Sequence, residues 1–253
     1  MDIHRLFSDK SSLYESARPS YPAELFQFLH SQGPEDLAAW DCACGNGQAA
    51  ISLVDHFQRV YASDISTEQL AAAKPHKRID YLVCAAERSP LATHSVDLIC
   101  VAQALHWFDL EPFWQEANRI LKYGGIFASF GYNYPVWGEG LEEIIQRELL
   151  DVIAPYWAPN NQLLWNHYRD IQFPFIEIDT PKFSMNVEWN LYELFDLLHT
   201  FSATRRCMDA IGDQFFVAAF EQVSDFWQTR HADKSTRQEF ELEFVCYVGR
   251  KSN

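Results

Sequence analysis

A chain of 253 residues, 48% apolar and 22% charged, has the balance of a globular protein and is long enough for one large α/β domain or a domain carrying an inserted cap. Its net charge of −15 repels phosphate backbones and anionic membrane surfaces, and no basic run exceeds Lys74–Arg78 or Arg205-Arg206, so no nucleic-acid partner is expected. No apolar run approaches the ~20 residues that span a bilayer, and Met1-Asp2-Ile3-His4-Arg5 lacks the apolar core of a secretory signal; the expected state is a cytoplasmic monomer or homodimer without a membrane partner.

Residues 22–32 read as a helix with Pro22 in its first turn and Gly33-Pro34 beyond its end. Residues 37–43 form a short buried strand running into Gly45 and Gly47. A helix over 48–56, a strand over 59–64, a helix over 67–74 stopped by Pro75 and a strand over 79–85 follow. The apolar run 95–101 suits a strand buried on both faces. Residues 110–121 are helical, and Gly124-Gly125 turns into a strand over 126–130. Five alternations of strand and helix predict a parallel sheet with helices on both faces.

The pattern then changes. A helix over 141–153 precedes a polar, aromatic-rich stretch holding Tyr156, Trp157, Trp165 and Tyr168. A strand over 176–183, helices over 190–201 and 214–229, and a strand over 239–248 complete the chain. Residues 132–235 read as a substrate cap containing a sheet-completing strand, flanked by a core over 1–131 with an N-terminal arm and a last core strand within 236–253. The aromatic content of 15% suits an apolar ligand wall, though core filling is the commoner use of such residues. The six cysteines form no C-x-x-C pair, and Cys42 and Cys44 stand too close for a usual zinc knuckle. Reduced core thiols and no metal are expected.

Four segments carry chemistry. In Asp41-Cys-Ala-Cys-Gly45-Asn-Gly47 the glycines allow a ligand close to the backbone where a helix begins. With Ala50 and acidic Asp64 they also fit a nicotinamide-dinucleotide fingerprint, or a tight turn with no ligand. Asp64, at the end of the second strand, is placed to take both hydroxyls of a ribose; N-capping is the alternative, though Ser66 suits that better. Cys84-Ala-Ala86-Glu87-Arg-Ser-Pro-Leu91 offers a small-residue strand end against which an adenine ring could lie, between Ile65 and Leu91, or else is a surface loop. Ala102-Gln103-Ala-Leu-His106-Trp107 sets polar and aromatic groups at the carboxyl edge of a parallel strand, where ligands of such sheets lie. His106 there is either functional or a packing histidine.

Taken in order, Asp-x-x-Cys-Gly-x-Gly, the acid after the second strand, Ala-Glu-x-x-Pro-Leu, Asp97-Leu-Ile and Leu121-Lys-Tyr-Gly-Gly125 resemble the motifs of class I S-adenosylmethionine-dependent methyltransferases. Tyr14 with Arg18-Pro-Ser-Tyr-Pro22, Gln103-Ala-Leu-His-Trp107 and Phe201-Ser-Ala-Thr-Arg205 resemble the trans-aconitate methyltransferase-like group within them. Ala43 and Tyr123 depart from the pattern, standing where glycine and proline are common.

The resemblance implies a Rossmann-like seven-stranded sheet ending in an antiparallel strand, which suits 239–248, and S-adenosyl-L-methionine as cofactor rather than a nicotinamide. It implies that Asp64 binds the ribose, that Gly45 and Gly47 admit the methionine moiety, and that Ala86, Glu87 and Ile65 flank the adenine. Tyr14 and Arg18 would close over the cofactor, with Asp41 hydrogen-bonding around its amine or around the glycine turn, and Gln103 at the same edge. It also implies a small-molecule acceptor. A carboxylate, ionised at neutral pH, needs no base; for a hydroxyl or an amine on an aromatic metabolite His106 is the candidate. Trp107, Tyr132 and Trp137 are candidate walls of the acceptor site, and Arg205 a candidate clamp for a carboxylate unless it is a solvated helix-end charge. A protein that binds the cofactor without turnover would carry the same cofactor residues.

Overall fold

The structure is a computed structural model that describes residues 18–33 and 37–252. Helix α1 (Ala23–Ser31) is followed by β1 (Ala38–Cys42), α2 (Gln48–Leu53), β2 (Arg59–Asp64), α3 (Thr67–Ala71) and β3 (Ile79–Val83). Next come β4 (Val96–Ala102), α4 (Leu110–Ile120) and β5 (Leu121–Pro135). Then α5 (Leu141–Ile145) runs through a π-helical stretch, Gln146–Leu150, into Asp151–Ile153. The chain ends with α6 (Asn161–Trp165), β6 (Ile176–Glu177), β7 (Met185–Trp189), α7 (Leu191–Thr200), α8 (Ser202–Ile211), α9 (Gln214–Arg230) and β8 (Gln238–Arg250).

The strands lie in the order β3-β2-β1-β4-β5-β8-β6, with β7 pairing β8 off that path. Strands β1 to β5 are parallel, with Cys42 opposite Ser63, Asp64 opposite Val83, Asp41 opposite Cys100 and Ala102 opposite Phe130. Strand β6 runs antiparallel to β8. Strand order therefore reverses between β1 and β4, and the helices that follow them pack in different core clusters. This is where open parallel sheets hold ligands.

Two compact units are present. The larger comprises residues 20–33, 37–133, 162–185 and 244–252. Successive residues of its strands feed opposite faces, the period of 2 that a strand imposes. Ala39, Val60, Leu98 and Phe130 pack under Leu25, Phe26 and Leu29 of α1. Trp40, Ile99, Val101 and Phe127 pack with Phe113, Ala117 and Ile120 of α4. Residues 162–185, expected in the cap, belong to this unit because Leu164, Tyr168, Ile171 and Phe175 complete the α4 face. The C-terminal segment is tied down as well: the buried Lys251 ammonium donates to the carbonyls of Leu121, at 2.8 Å, and Asn118.

The second unit comprises residues 18–19, 134–161 and 186–243. Helix α7 starts in a full capping box, with Asn190 Oδ1 accepting from Tyr192 N and Glu193 N while the Glu193 carboxylate takes Asn190 N. A single extended residue, Phe201, separates α7 from α8.

Three expectations are corrected. The strand expected over 176–183 stops at Glu177: Ile178 N makes one more ladder bond to Val248 O at 2.9 Å, then Thr180 Oγ1 turns back onto Ile178 O and Pro181 offers no N–H. The strand expected over 126–130 extends over 121–135. Helix α8 and strand β7 were not expected, since Ser202-Ala-Thr-Arg-Arg is polar enough to read as a connection.

Candidate functional site

The loop after β1 alternates left-handed residues: Ala43 at φ +57°, Gly45 at +56° and Gly47 at +82°. The two glycines are required for different reasons. A Cβ at Gly47 would stand 2.6 Å from Tyr81 Oη, whereas at Gly45 the nearest atom is Gln69 Oε1 at 3.7 Å. Gly47 thus needs both the backbone freedom and the absent side chain, and Gly45 only the first. Cys44 N donates to Ser63 O at 2.8 Å, which moors this loop to the end of β2.

Asp64 is more committed than its sequence position suggests. Its Oδ2 accepts from Gly45 N and its Oδ1 from Ser66 N, each at 2.8 Å. The carboxylate clamps the glycine loop to the start of α3, whose N-cap is Ser66. Lone pairs remain on both oxygens for a ligand's hydroxyls. Ile65 beside it is 75% exposed, an uncovered apolar face. Ala86 and Leu91 are buried, and Glu87 Oε1 accepts from Asp109 N at 3.0 Å, tying the loop after β3 to the start of α4.

Asp41 and Gln103 stand in contrast. Asp41 is fully buried at the end of β1; the Ala50 N–H in the first turn of α2 faces its carboxylate, but neither oxygen makes a hydrogen bond of good geometry among the described residues. Burial pushes its pKa up to about 7 against the opposing Ala50 N–H, and the charge of Asp64 adds a little to the rise. Gln103, at φ +55° just past β4, donates from Nε2 to Tyr132 O at 3.0 Å. Its Oε1 is buried, without a donor among the described residues, against Gly131, where any side chain would collide with it. Two unmatched acceptors therefore sit on the strands that flank the reversal of strand order.

His106 lies in a single 3₁₀ turn, Leu105–Trp107, and is 6% exposed. Its Nδ1 is 3.1 Å from Tyr168 Oη. Trp107 is 48% exposed, while the Tyr132 ring is buried, 6.3 Å from that of Tyr21. Tyr168 escaped the sequence reading as a site residue, because a contact across 62 positions leaves no local signal.

The larger unit thus gathers Asp41, Gly45, Gly47, Asp64, Ile65, Ala86, Glu87, Gln103, His106, Trp107 and Tyr132 onto it. Arg18, Trp137 and Arg205 belong to the second unit. Trp137 packs edge-on to Phe240 at 6.3 Å, and Arg205 is exposed on α8. Neighbouring Arg206 donates to Tyr156 O at 3.2 Å. Tyr14 lies outside the described residues. Among the described residues no three His, Cys, Asp or Glu side chains group as a metal site, and no helix is long and apolar enough to cross a membrane.

Known proteins agree on the family. The methyltransferase domain family matches residues 40–129, from the middle of β1 to the middle of β5. A Dictyostelium discoideum protein named as a methyltransferase is 34% identical over 181 residues, 70% of this chain and 68% of its own. A Saccharomyces cerevisiae protein named as an S-adenosylmethionine-dependent methyltransferase is 31% identical over 137 residues, 50% of this chain and 46% of its own. A solved structure from Anaeromyxobacter dehalogenans, described as a type II methyltransferase, is 30% identical, covers 93% of this chain and 99% of its own, and superposes with a TM-score of 0.83. The sheet order, the glycine loop and these relatives place the chain in the class I S-adenosylmethionine-dependent methyltransferases, with S-adenosyl-L-methionine as its cofactor.

Proposed function

We propose that this methyltransferase acts on a small molecule and that the acceptor atom is a carboxylate oxygen, giving a methyl ester. The observation that supports the placement of the cofactor is a pair of buried acceptors without well-formed hydrogen bonds among the described residues, Asp41 and Gln103 Oε1, at the carboxyl ends of adjacent strands β1 and β4. An ammonium group fits them: it has three donors and a charge opposite to that of an ionised Asp41. Asp64 has lone pairs left for the ribose, and Ala86, Glu87, Leu91 and the exposed Ile65 supply the surroundings of the adenine. Arg18 and Tyr14 belong to the arm that would cover the cofactor.

When bound, the cofactor supplies an electrophilic methyl group on a sulfonium. The chain's own work is alignment and exclusion of water. The exposed Trp107 and the buried Tyr132 follow the carboxyl ends of adjacent strands β4 and β5, as His106 does, and are the candidates for an acceptor wall. A carboxylate is already ionised at neutral pH, so no proton has to leave it. This suits a site whose buried imidazole already has Nδ1 engaged by Tyr168. The net charge of −15 argues against nucleic acid as the acceptor and favours a small metabolite.

The test is a methyl-donor assay with labelled S-adenosylmethionine over sets of small carboxylic acids, phenols and amines, read by mass. Products that alkali hydrolyses back to the acid support the proposal. Transfer confined to phenols or amines overturns it.

A further inference from the structure

We infer that Glu116 and Arg119, neighbours on α4, are positioning residues for the cofactor: together they grip the backbone of Ser89 and so fix, before any ligand arrives, the loop after β3 that seats the adenine ring. This deepens the proposal above and rests on its placement of the adenine beside Ile65, Ala86, Glu87 and Leu91.

The chain between β3 and β4 is fastened along the whole of α4. At the start of the helix, Glu87 Oε1 accepts from Asp109 N at 3.0 Å. At its end, the Arg119 and Ile120 carbonyls, which a helix leaves without internal partners, accept from His94 N and Ser95 N at 2.9 Å each. Ser89 lies between these two ties. Its N–H donates to Glu116 Oε1 at 2.7 Å, its carbonyl accepts from Arg119 Nη2 at 3.4 Å, and its Oγ accepts from Leu91 N at 3.1 Å. Glu116 and Arg119 stand three residues apart, on one helix face, and form a two-pronged pair: Arg119 Nη2 donates to Glu116 Oε1 at 2.7 Å and Nε to Oε2 at 2.8 Å. The guanidinium orients the carboxylate, and the carboxylate orients the Ser89 peptide.

Ser89 is two residues from Glu87 and two from Leu91, and Arg88 N closes the turn onto Ala85 O at 3.2 Å. A shift of the Ser89 peptide therefore moves both sides of the adenine seat. The pair is a costly way to hold a fold. Glu116 is buried in the same helix stripe as Phe113, Ala117 and Ile120, which pack in one cluster with Ala86 and Leu91. An apolar residue would complete that stripe, and a buried ion pair rarely stabilises a fold more than well-packed apolar side chains do. Burial acts to raise the Glu116 pKa, but the Arg119 guanidinium and the Ser89 N–H outweigh it and hold it below the usual glutamate value, so the carboxylate is ionised as the grip requires. A loop ordered in advance spares the cofactor the cost of ordering it, and that saving appears as affinity.

Amide hydrogen exchange of the wild type comes first, because it needs no variant to fold. The Ser89 amide should already be protected in the cofactor-free protein and change little when S-adenosylhomocysteine is added. A Ser89 amide that exchanges freely until the ligand binds overturns the inference. Glu116→Ala should release that amide and lower the affinity for S-adenosylhomocysteine about tenfold by calorimetry, the worth of one such hydrogen bond. Glu116→Gln, which keeps an oxygen for Ser89 N and loses the charge facing Arg119, should fall between Glu116→Ala and the wild type. A folded Glu116→Ala protein with a freed Ser89 amide and wild-type affinity reduces the pair to a structural role and also overturns the inference. The adenine placement is judged separately by Ile65→Ala, at a side chain 75% exposed that the fold does not need. Lower affinity there with unaltered affinity in Glu116→Ala sinks the positioning role alone, whereas unaltered affinity in Ile65→Ala sinks the placement on which it rests.

Discussion

Replacing Asp64 by alanine should weaken the cofactor-free protein, not only its hold on the cofactor. The carboxylate takes two backbone N–H groups, Gly45 and Ser66, at 2.8 Å each. Hydrogen bonds to a charged group contribute about 1.5–3 kcal/mol each. Both of these are only part-buried, so water recovers some of that loss and the sum is discounted to about 2–4 kcal/mol. For a chain of this size each kcal/mol moves Tm by about 2–4 °C, which gives a fall of roughly 4–16 °C. Two neighbours calibrate the figure. Ser66→Ala removes one N-cap bond, to Gln69 N, and should cost about 1 kcal/mol. Ile65→Ala, at a side chain 75% exposed, should stay within about 0.5 kcal/mol. Urea unfolding of the three variants, without and with S-adenosylhomocysteine, separates the two duties of Asp64. If Asp64→Ala matches the wild type without ligand and differs only with it, the clamp contributes nothing and the carboxylate serves the ligand alone.

Three other outcomes are expected. Gly47→Ala should cost about 1–3 kcal/mol more than Gly45→Ala, because both meet a positive φ but only position 47 drives a methyl against Tyr81 Oη, at 2.6 Å; equal losses in chemical denaturation would contradict this. Asp41 has its pKa raised from 3.8 to about 7, so between those values the folded chain keeps a proton that the unfolded chain gives up. Its contribution therefore falls as pH rises from about 4 to 7 and is level above, a span on the order of 4 kcal/mol that Asp41→Asn should abolish; parallel pH–stability curves for wild type and variant would refute it. Lys251→Met keeps the buried stem but removes the donor shared by the Leu121 and Asn118 carbonyls, and should lower stability by about 1–3 kcal/mol, read from the denaturation midpoint.

The sheet was legible because its signals are local. An apolar run such as Val96–Ala102 has few alternatives to a strand buried on both faces, and Gly45 and Gly47 mark the one turn that side chains would obstruct. The cap was less legible. Helix α8 carries Ser202, Thr204, Arg205 and Arg206 in its first turns, and only its packing, with Ala203, Thr204 and Cys207 buried, makes it a helix. The grouping of 162–185 with the sheet depends on Tyr168, Ile171 and Phe175 packing with residues remote in sequence, such as Val101 and Phe127. No periodicity reports such contacts. The same limit hid the partner of His106.

Asp64 shows a different limit, one of chemistry rather than distance. An acid at the end of a second strand is read as a ribose ligand because its fork matches two hydroxyls, yet the same fork matches two backbone N–H groups, and in this fold it holds them. Glu87 is likewise engaged, with Asp109 N. At the carboxyl ends of β1 and β4, Asp41 and Gln103 Oε1 are buried acceptors that make no hydrogen bond of good geometry among the described residues, and neither motif position nor hydropathy marks them out. Buried acceptors without donors cost free energy, and a ligand that satisfies them returns that cost as affinity. Recognition of the cofactor should therefore depend more steeply on Asp41 and Gln103 than on Asp64, whose removal is felt first by the fold.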